Sequence, residues 1–151
     1  MTPTLKDTII AQINNSYALN GTTYYLTKRY GKIPLITANL KDHINLFYYW
    51  PTDHKFIGGF GALRTNGLTL ELSLLSQLDD HYPNGYDVTL GLVRAIVEDL
   101  QTSLDGVLAS YDAYYVNTES INDIASPLDK QFLLYTFQTR LHFAYHIEEG
   151  V

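Results

Sequence analysis

The sequence predicts an α+β domain: a largely antiparallel sheet of six or seven strands with two amphipathic helices on one face. Two stretches with helical spacing of apolar residues predict the helices, one near the N-terminus and one at Asp87–Leu104. Between them lie short segments rich in Tyr, Thr, Phe and Ile, which predict strands. A long alternating segment near the C-terminus predicts a further strand. All 151 residues fit one globular domain, 1–151.

The first predicted helix begins after Thr4, a residue type that caps helices, and runs to about Tyr17. Asp7 stands three residues after Thr4, in the position of a capping box. Asn20-Gly21 follows as a turn pair that also suits the end of a helix. The predicted apolar stripe is Leu5, Ile9, Ile10, Ile13 and Tyr17.

A meander of about five strands is predicted next, because short connections make neighbouring strands antiparallel. Asn66-Gly67 is the strongest hairpin signal, since a type I′ turn needs positive φ at both central residues. Pro51-Thr52-Asp53 is interpreted as another of the turns. The predicted strands are Thr23–Arg29, Leu35–Leu40, Asn45–Trp50, Phe56–Arg64 and Leu68–Leu75.

Three glycines stand in the fourth predicted strand, at Gly58, Gly59 and Gly61. One interpretation is a β-bulge or a strongly bent strand. The other is a bare backbone that a ligand can approach. The spacing differs from that of a phosphate-binding loop, because a strand and not a helix follows.

The second half is organised around the second helix, which Asp87 is predicted to cap. Thr118 is a candidate cap for a short helix, and strict alternation predicts that the last segment is a strand. The predicted elements are a helix at Asp87–Leu104, a strand at Val107–Val116, a short helix at Glu119–Ala125 and a strand at Leu133–Ile147.

Composition limits the functional classes. The chain has no cysteine, so disulfides, thiolate metal sites and cysteine nucleophiles are excluded. The net charge of −6 argues against general nucleic-acid binding. No signal peptide or membrane span is recognised, which predicts a cytoplasmic protein. Residues 1–70 hold seven Lys and Arg against three Asp and Glu, whereas residues 71–151 hold three against thirteen. The halves either complement each other or present an acidic surface to a basic partner.

Histidine and hydroxyl residues give no catalytic signature. His142 and His146 would share a helix face, but in a strand they stand about 13 Å apart, too far to share one metal ion. Asp53-His54 and Asp79-Asp80-His81 lie in predicted turns, and no Gly-x-Ser-x-Gly elbow is present. The sequence therefore favours a protein that is not an enzyme and carries no cofactor or metal.

Tyrosine is unusually frequent, with thirteen residues that include three doublets. Because adjacent residues of a strand face opposite sides, one tyrosine of each doublet should point away from the core. Tyr25, Tyr49 and Tyr114 therefore form a candidate interaction surface, since tyrosine is enriched at interfaces. A purely structural use of the doublets is the alternative.

Basic residues gather near predicted turns at one end of the meander. Lys28, Arg29, Lys32 and Lys55 form a candidate anion patch beside aromatic residues, a combination that can hold an anionic ligand. The alternative is that these side chains populate exposed turns for solubility.

The strand, loop, helix and strand of Leu70–Leu104 and Val107–Thr118 resemble the core of the GCN5-related N-acetyltransferases. The resemblance implies binding of the acetyl-CoA pyrophosphate at the loop before the second helix, around Gly85, Tyr86 and Asp87. Only Gly85 matches the family's loop pattern, and Tyr82 replaces its basic residue. Asp87 would point its charge at the pyrophosphate.

The functional prediction is a small, acidic, non-enzymatic protein-interaction domain of adaptor, chaperone-like or immunity type. Its expected partner is another protein or a second copy of the chain, and neither nucleic acid nor membrane. The alternative is an acetyl-CoA-binding protein similar to the N-acetyltransferases.

Overall fold

The computed structural model of the chain describes residues 4–33, 44–60, 63–77, 85–102, 108–109, 111–124 and 134–148. Their elements combine two helices with a mostly antiparallel sheet, as the α+β prediction requires. In chain order they are α1 (Leu5–Ala11), β1 (Ser16–Leu19), β2 (Thr22–Tyr25), β3 (Thr27–Tyr30), β4 (Ile44–Phe60), β5 (Leu63–Gln77), α2 (Gly85–Thr102), β6 (Ala113–Thr118), β7 (Asn122–Asp123) and β8 (Leu134–Glu148).

The main sheet has the strand order β3-β4-β5-β8-β6, and β7 also pairs with β8. All neighbours are antiparallel except β3 and β4, which are parallel. The predicted meander is therefore wrong, because β3 runs parallel to β4. In the second half of the chain, β8, the last strand in sequence, lies between β5 and β6. The predicted strand Leu35–Leu40 lies outside the described residues, in the long connection that allows β3 and β4 to be parallel.

Asn66-Gly67 is not a hairpin turn, contrary to prediction. Both residues lie inside β5, where Asn66 pairs with Phe56 on one side and Tyr145 on the other. β4 and β5 instead pair up to Phe60 and Leu63, which stand directly opposite each other. Pairing on both sides of β5 overrides the local preference of the dipeptide, since strand preferences depend strongly on context.

β4 is one irregular strand of 17 residues and not the two strands predicted. Its register against β5 shifts between Tyr49 and Thr52, between Thr52 and Lys55, and between Phe56 and Gly58. Pro51, expected in a turn, lies at the first shift. Gly58 lies at the third register shift, as the bulge interpretation predicts. A Cβ added to Gly58 would meet no atom within 4 Å. Bulges are where strands tolerate proline and glycine.

α1 is shorter than predicted and ends at Ala11. Its predicted cap is confirmed, because the Thr4 side chain accepts a hydrogen bond from the Asp7 backbone N–H at 3.2 Å. Tyr17 belongs to β1, which pairs with β2 as a separate two-stranded sheet. Asn20 and Gly21 join these strands with φ of 51° and 84°, the positive values that a type I′ turn requires.

α2 begins at Gly85, two residues before the predicted start, so that Asp87 lies in its first turn and not at its cap. The predicted strand Val107–Val116 is wrong at its start, because residues 108–109 are helical and β6 begins at Ala113. The short helix predicted at Glu119–Ala125 is absent over residues 119–124. That stretch is extended instead, and the Glu119 and Ile124 amides donate to β8 carbonyls.

The two faces of the sheet differ in composition. The apolar face packs against both helices, as predicted, in one core with α1 residues Ile9 and Ile10 and α2 residues Leu92 and Ile96. The apolar face carries Leu68, Leu70, Leu72, Leu74, Phe137, Leu141 and Phe143. The opposite, polar face is defined by Tyr49, Thr69, Glu71, Ser73, Tyr114, Gln138, Arg140, His142 and His146, placed there by strand alternation and register.

Candidate functional site

An ion pair lies at the centre of the polar face. Glu71 of β5 stands directly opposite Arg140 of β8, and Tyr49 of β4 stands opposite Glu71 on the other side. The Arg140 Nε and Nη2 atoms both lie 3.0 Å from Glu71 Oε1. The Glu71 side chain is only 5% exposed, whereas that of Arg140 is 46% exposed. The pair thus joins a buried carboxylate to a guanidinium that reaches water.

The same contacts shift the ionisation of the neighbouring groups. The pKa of Tyr49 is raised above its ordinary value, first by burial and then by its hydrogen bond to Glu71, while Arg140 partly opposes the shift. The hydrogen bond to Glu71 also raises the pKa of Arg140. The two pKa shifts favour the neutral phenol of Tyr49 and the charged guanidinium of Arg140.

A second polar chain runs beside the ion pair. Thr69 Oγ1 lies 3.0 Å from His142 Nδ1, and Glu119 Oε2 lies 2.7 Å from His142 Nε2. Glu119 reaches His142 because its backbone amide donates to the Arg140 carbonyl, which fixes the extended stretch after β6 beside β8. The imidazole thus links β5, β8 and the edge of the sheet.

These three residues are of the types found in catalytic triads, but the exposure of their side chains does not suit catalysis. Thr69, the would-be nucleophile, is only 7% exposed, while the side chains of His142 and Glu119 are 34% and 51% exposed. A nucleophile has to be accessible to its substrate, but Thr69 is the most buried of the three residues. The same kind of contact occurs four residues away, where Thr65 Oγ1 lies 2.9 Å from His146 Nδ1. The Thr69–His142 contact is therefore an ordinary cross-strand pair.

His142 and His146 both lie in β8 and not in a helix, so their geometry does not match a shared metal site. Among the described residues no group of three or more side chains is arranged to hold a metal ion.

Two of the three candidate interaction tyrosines share the polar face. Tyr49 pairs with Glu71, and Tyr114 pairs with Ala144, which follows Arg140 by four residues. From strand geometry the two tyrosines stand roughly 14 Å apart across the sheet and roughly 13 Å along it. Tyr25 is elsewhere, in β2 of the two-stranded sheet, where it is largely exposed.

The candidate anion patch is divided between the two faces. Lys28 is on the apolar side, where its Nζ donates to the Ile10 carbonyl at 3.3 Å and burial lowers its pKa. Arg29 is on the polar side and donates to Asn45 Oδ1 at 2.7 Å. Lys32 also reaches this side, with its Nζ 5.1 Å from the centre of the Tyr49 ring.

Lys55 has its backbone in β4 opposite Gly67, but its side chain lies outside the described part of the chain.

The packing at the start of α2 accounts for the glycine at position 85. A Cβ added to Gly85 would lie 2.6 Å from Cε2 of Tyr135, so this ring fills the space of the missing side chain. Tyr86 packs edge-on against Phe137, with ring centres 5.0 Å apart, and Thr89 donates to the Gly85 carbonyl at 2.7 Å. Most of the loop that the acetyltransferase resemblance concerns, residues 78–84, lies outside the described residues.

Sequence reasoning missed the residues at the centre of the polar face. Glu71 and Arg140 lie within the predicted strands Leu68–Leu75 and Leu133–Ile147, and Glu119 lies within the predicted short helix. Their polar identity at every second position was the available signal. What was missing was the register of β5 against β8, which brings them together.

No protein-family model matches the chain, and no curated protein resembles it significantly in sequence. Neither helix in the described part of the chain has the length and apolar character needed to cross a membrane.

Proposed function

We propose that this protein is a non-enzymatic interaction domain, of adaptor, chaperone-like or immunity type, that binds a partner protein through its polar face. The observation that supports the proposal is the placement of Tyr49 and Tyr114 on the sheet face opposite the two helices. Tyrosine contributes large contact area with little loss of conformational entropy and is enriched at interfaces.

The composition of this face also suits a protein partner. The phenol of Tyr49 and the ion pair of Glu71 and Arg140 satisfy one another, so docking leaves no carboxylate to be desolvated alone. Arg140, half exposed, belongs to a residue type enriched at binding hot spots. A standard interface covers about 800 Å² on each partner, enough to include both tyrosines.

Changing Tyr49 and Tyr114 together to Ala is expected to reduce recovery of specific partners by about tenfold, because truncation of a hot-spot side chain costs more than ~1 kcal/mol. The measurement is quantitative mass spectrometry of proteins captured on the immobilised wild-type chain and on the variant. Thermal unfolding of both chains checks that each is folded.

Tyr25→Ala is the matched control, because Tyr25 is an exposed tyrosine outside the main sheet. It should leave the captured proteins unchanged. Equal recovery by the double variant and the wild type would refute the polar face as the binding surface.

A further inference from the structure

The segment Asp112–Ile124, here named the edge segment, begins in the turn at Asp112, continues as β6 and β7, and closes one side of the main sheet. The amide of His146 donates to the Asp112 carbonyl at 2.9 Å, and the Ile124 amide donates to the Thr136 carbonyl at 2.9 Å. Between these bonds the Glu119 amide donates to Arg140 at 2.8 Å. The edge segment therefore follows β8 almost throughout, with one register shift between Tyr115 and Asn117 and a second between Glu119 and Asn122.

The outer side of the edge segment carries backbone groups that β8 does not use. In an antiparallel ladder, hydrogen-bonded pairs alternate with pairs whose N–H and C=O groups point outward. Because the Asp112 carbonyl accepts from the His146 amide, the backbone N–H and C=O groups of Ala113 and Tyr115 point outward. After the first register shift, those of Thr118 point outward. No strand in the described residues pairs with this side. Such an edge is a template for an added strand.

Side chains on the edge segment are apolar and acidic. Tyr114, Val116 and Ile124 are 44%, 48% and 45% exposed, which makes them half of the large exposed apolar side chains of the described residues. Asp112, Glu119 and Asp123 lie among them, and the thirteen residues include no Lys or Arg. Exposed apolar residues on a sheet edge favour pairing, and the acidic residues restrict which chain can pair.

The opposite edge of the sheet is built differently. β3 covers only Asn45–Tyr48 of β4, and the rest of β4 is interrupted by Pro51 and by three register shifts. Proline and bulges are the devices by which natural sheets prevent strand addition. This contrast favours the edge segment as the site of strand addition, because Ala113–Tyr115 pairs with β8 in a single register.

We propose that the edge segment takes up an extended, Lys- or Arg-rich segment of a partner protein as an added β-strand. This rests on the proposed function and names the chemistry of its partner. Charge decides the occupant: a basic strand places opposite charges beside Asp112, Glu119 and Asp123, whereas a second copy of the edge segment would place acidic residues beside acidic residues.

The test uses two short fluorescent peptides, one of alternating lysine and valine and one of alternating glutamate and valine, titrated by fluorescence anisotropy. The wild-type chain should bind the lysine peptide and not the glutamate peptide. Asp112→Asn with Asp123→Asn should weaken binding by about tenfold. Asparagine tolerates the positive φ of 52° at position 112.

A charge-matched control separates strand addition from general attraction. Asp7→Asn with Asp87→Asn removes the same charge from the first turns of the two helices and should weaken binding by less than about twofold. Amide hydrogen exchange by NMR should slow at Ala113, Tyr115 and Thr118 when the lysine peptide is bound.

Equal weakening by both double variants, absence of binding at millimolar peptide, or slowed exchange at other strands alone would each overturn the proposal. The outcome is distinguishable from failure of the proposed function. Suppose that the Tyr49→Ala, Tyr114→Ala variant no longer captures partners, whereas the Asp112→Asn, Asp123→Asn variant still does. That result would support the polar face as the binding surface and refute strand addition at the edge segment.

Discussion

Replacing Arg140 by methionine is expected to lower the free energy of unfolding by about 2–3 kcal/mol, because Glu71 is left as a buried charge without its cation. The Glu71 side chain is 5% exposed, and both Arg140 contacts reach its Oε1 atom. The expected loss is below that of a fully buried pair, because Arg140 itself reaches water. Chemical denaturation of the two proteins measures the difference.

The converse change should be milder. Glu71→Leu leaves a guanidinium that water can solvate and places an apolar side chain in a buried position, so we expect a loss below about 1 kcal/mol. Combining Glu71→Leu with Arg140→Met should restore most of the stability lost by Arg140→Met alone. An equal or larger loss in Glu71→Leu would show that the burial of the carboxylate does not determine the energetics of this pair.

Gly85→Ala should also destabilise the chain, by about 2–3 kcal/mol, because the new methyl group meets a packed aromatic ring. The Cβ position lies 2.6 Å from Cε2 and 3.2 Å from Cδ2 of Tyr135, so either the ring or the first turn of α2 must move. The measurement is again the free energy of unfolding. In a Tyr135→Leu background the same change should cost clearly less, since the ring is gone.

Gly91→Ala is the matched control within the same helix. A Cβ there meets only Cδ1 of Leu19, at 3.2 Å, and this is the end of a flexible side chain. Helix propensity favours alanine by about 0.8–1 kcal/mol, so Gly91→Ala should be neutral or stabilising. If the two glycine variants behaved alike, Tyr135 would not be the reason for glycine at position 85.

The class of the fold and its strongest periodic elements could be predicted from the sequence. The apolar stripe of α2 and the alternation of β8 are long enough to outweigh local irregularities, and both elements are found within two residues of their predicted bounds. Thr4 as a helix cap was also predictable, because its hydrogen bond to Asp7 depends only on neighbouring residues.

Strand pairing could not be predicted in the same way, because it depends on contacts distant in sequence. Asn20-Gly21 and Asn66-Gly67 are the same dipeptide, yet only the first forms a hairpin turn. The second lies between β4 and β8, whose pairing holds β5 extended. The residues that meet on the polar face could not be predicted for the same reason, because Glu71 contacts Arg140 only in the register that β5 and β8 adopt.

The polar face as described requires β5 to run unbroken through Asn66. A hairpin turn at Asn66-Gly67 would pair Thr65 with Leu68 and so remove Tyr49 from its position opposite Glu71. Within the unbroken strand Asn66 is buried on the apolar side, and its Oδ1 atom has no hydrogen-bond partner among the residues that the structure describes. Its Nδ2 atom makes one long contact, 3.4 Å to the Tyr145 hydroxyl.

The stability of Asn66→Val tests this arrangement most directly, because the two arrangements predict changes of opposite sign. In an unbroken strand valine removes a buried, unsatisfied acceptor and suits the β conformation, so the free energy of unfolding should rise by about 1 kcal/mol. In a type I′ turn valine would have to adopt positive φ, and the chain would lose about 1–2 kcal/mol. A rise supports the continuous polar face on which the proposed function depends, and a fall contradicts it.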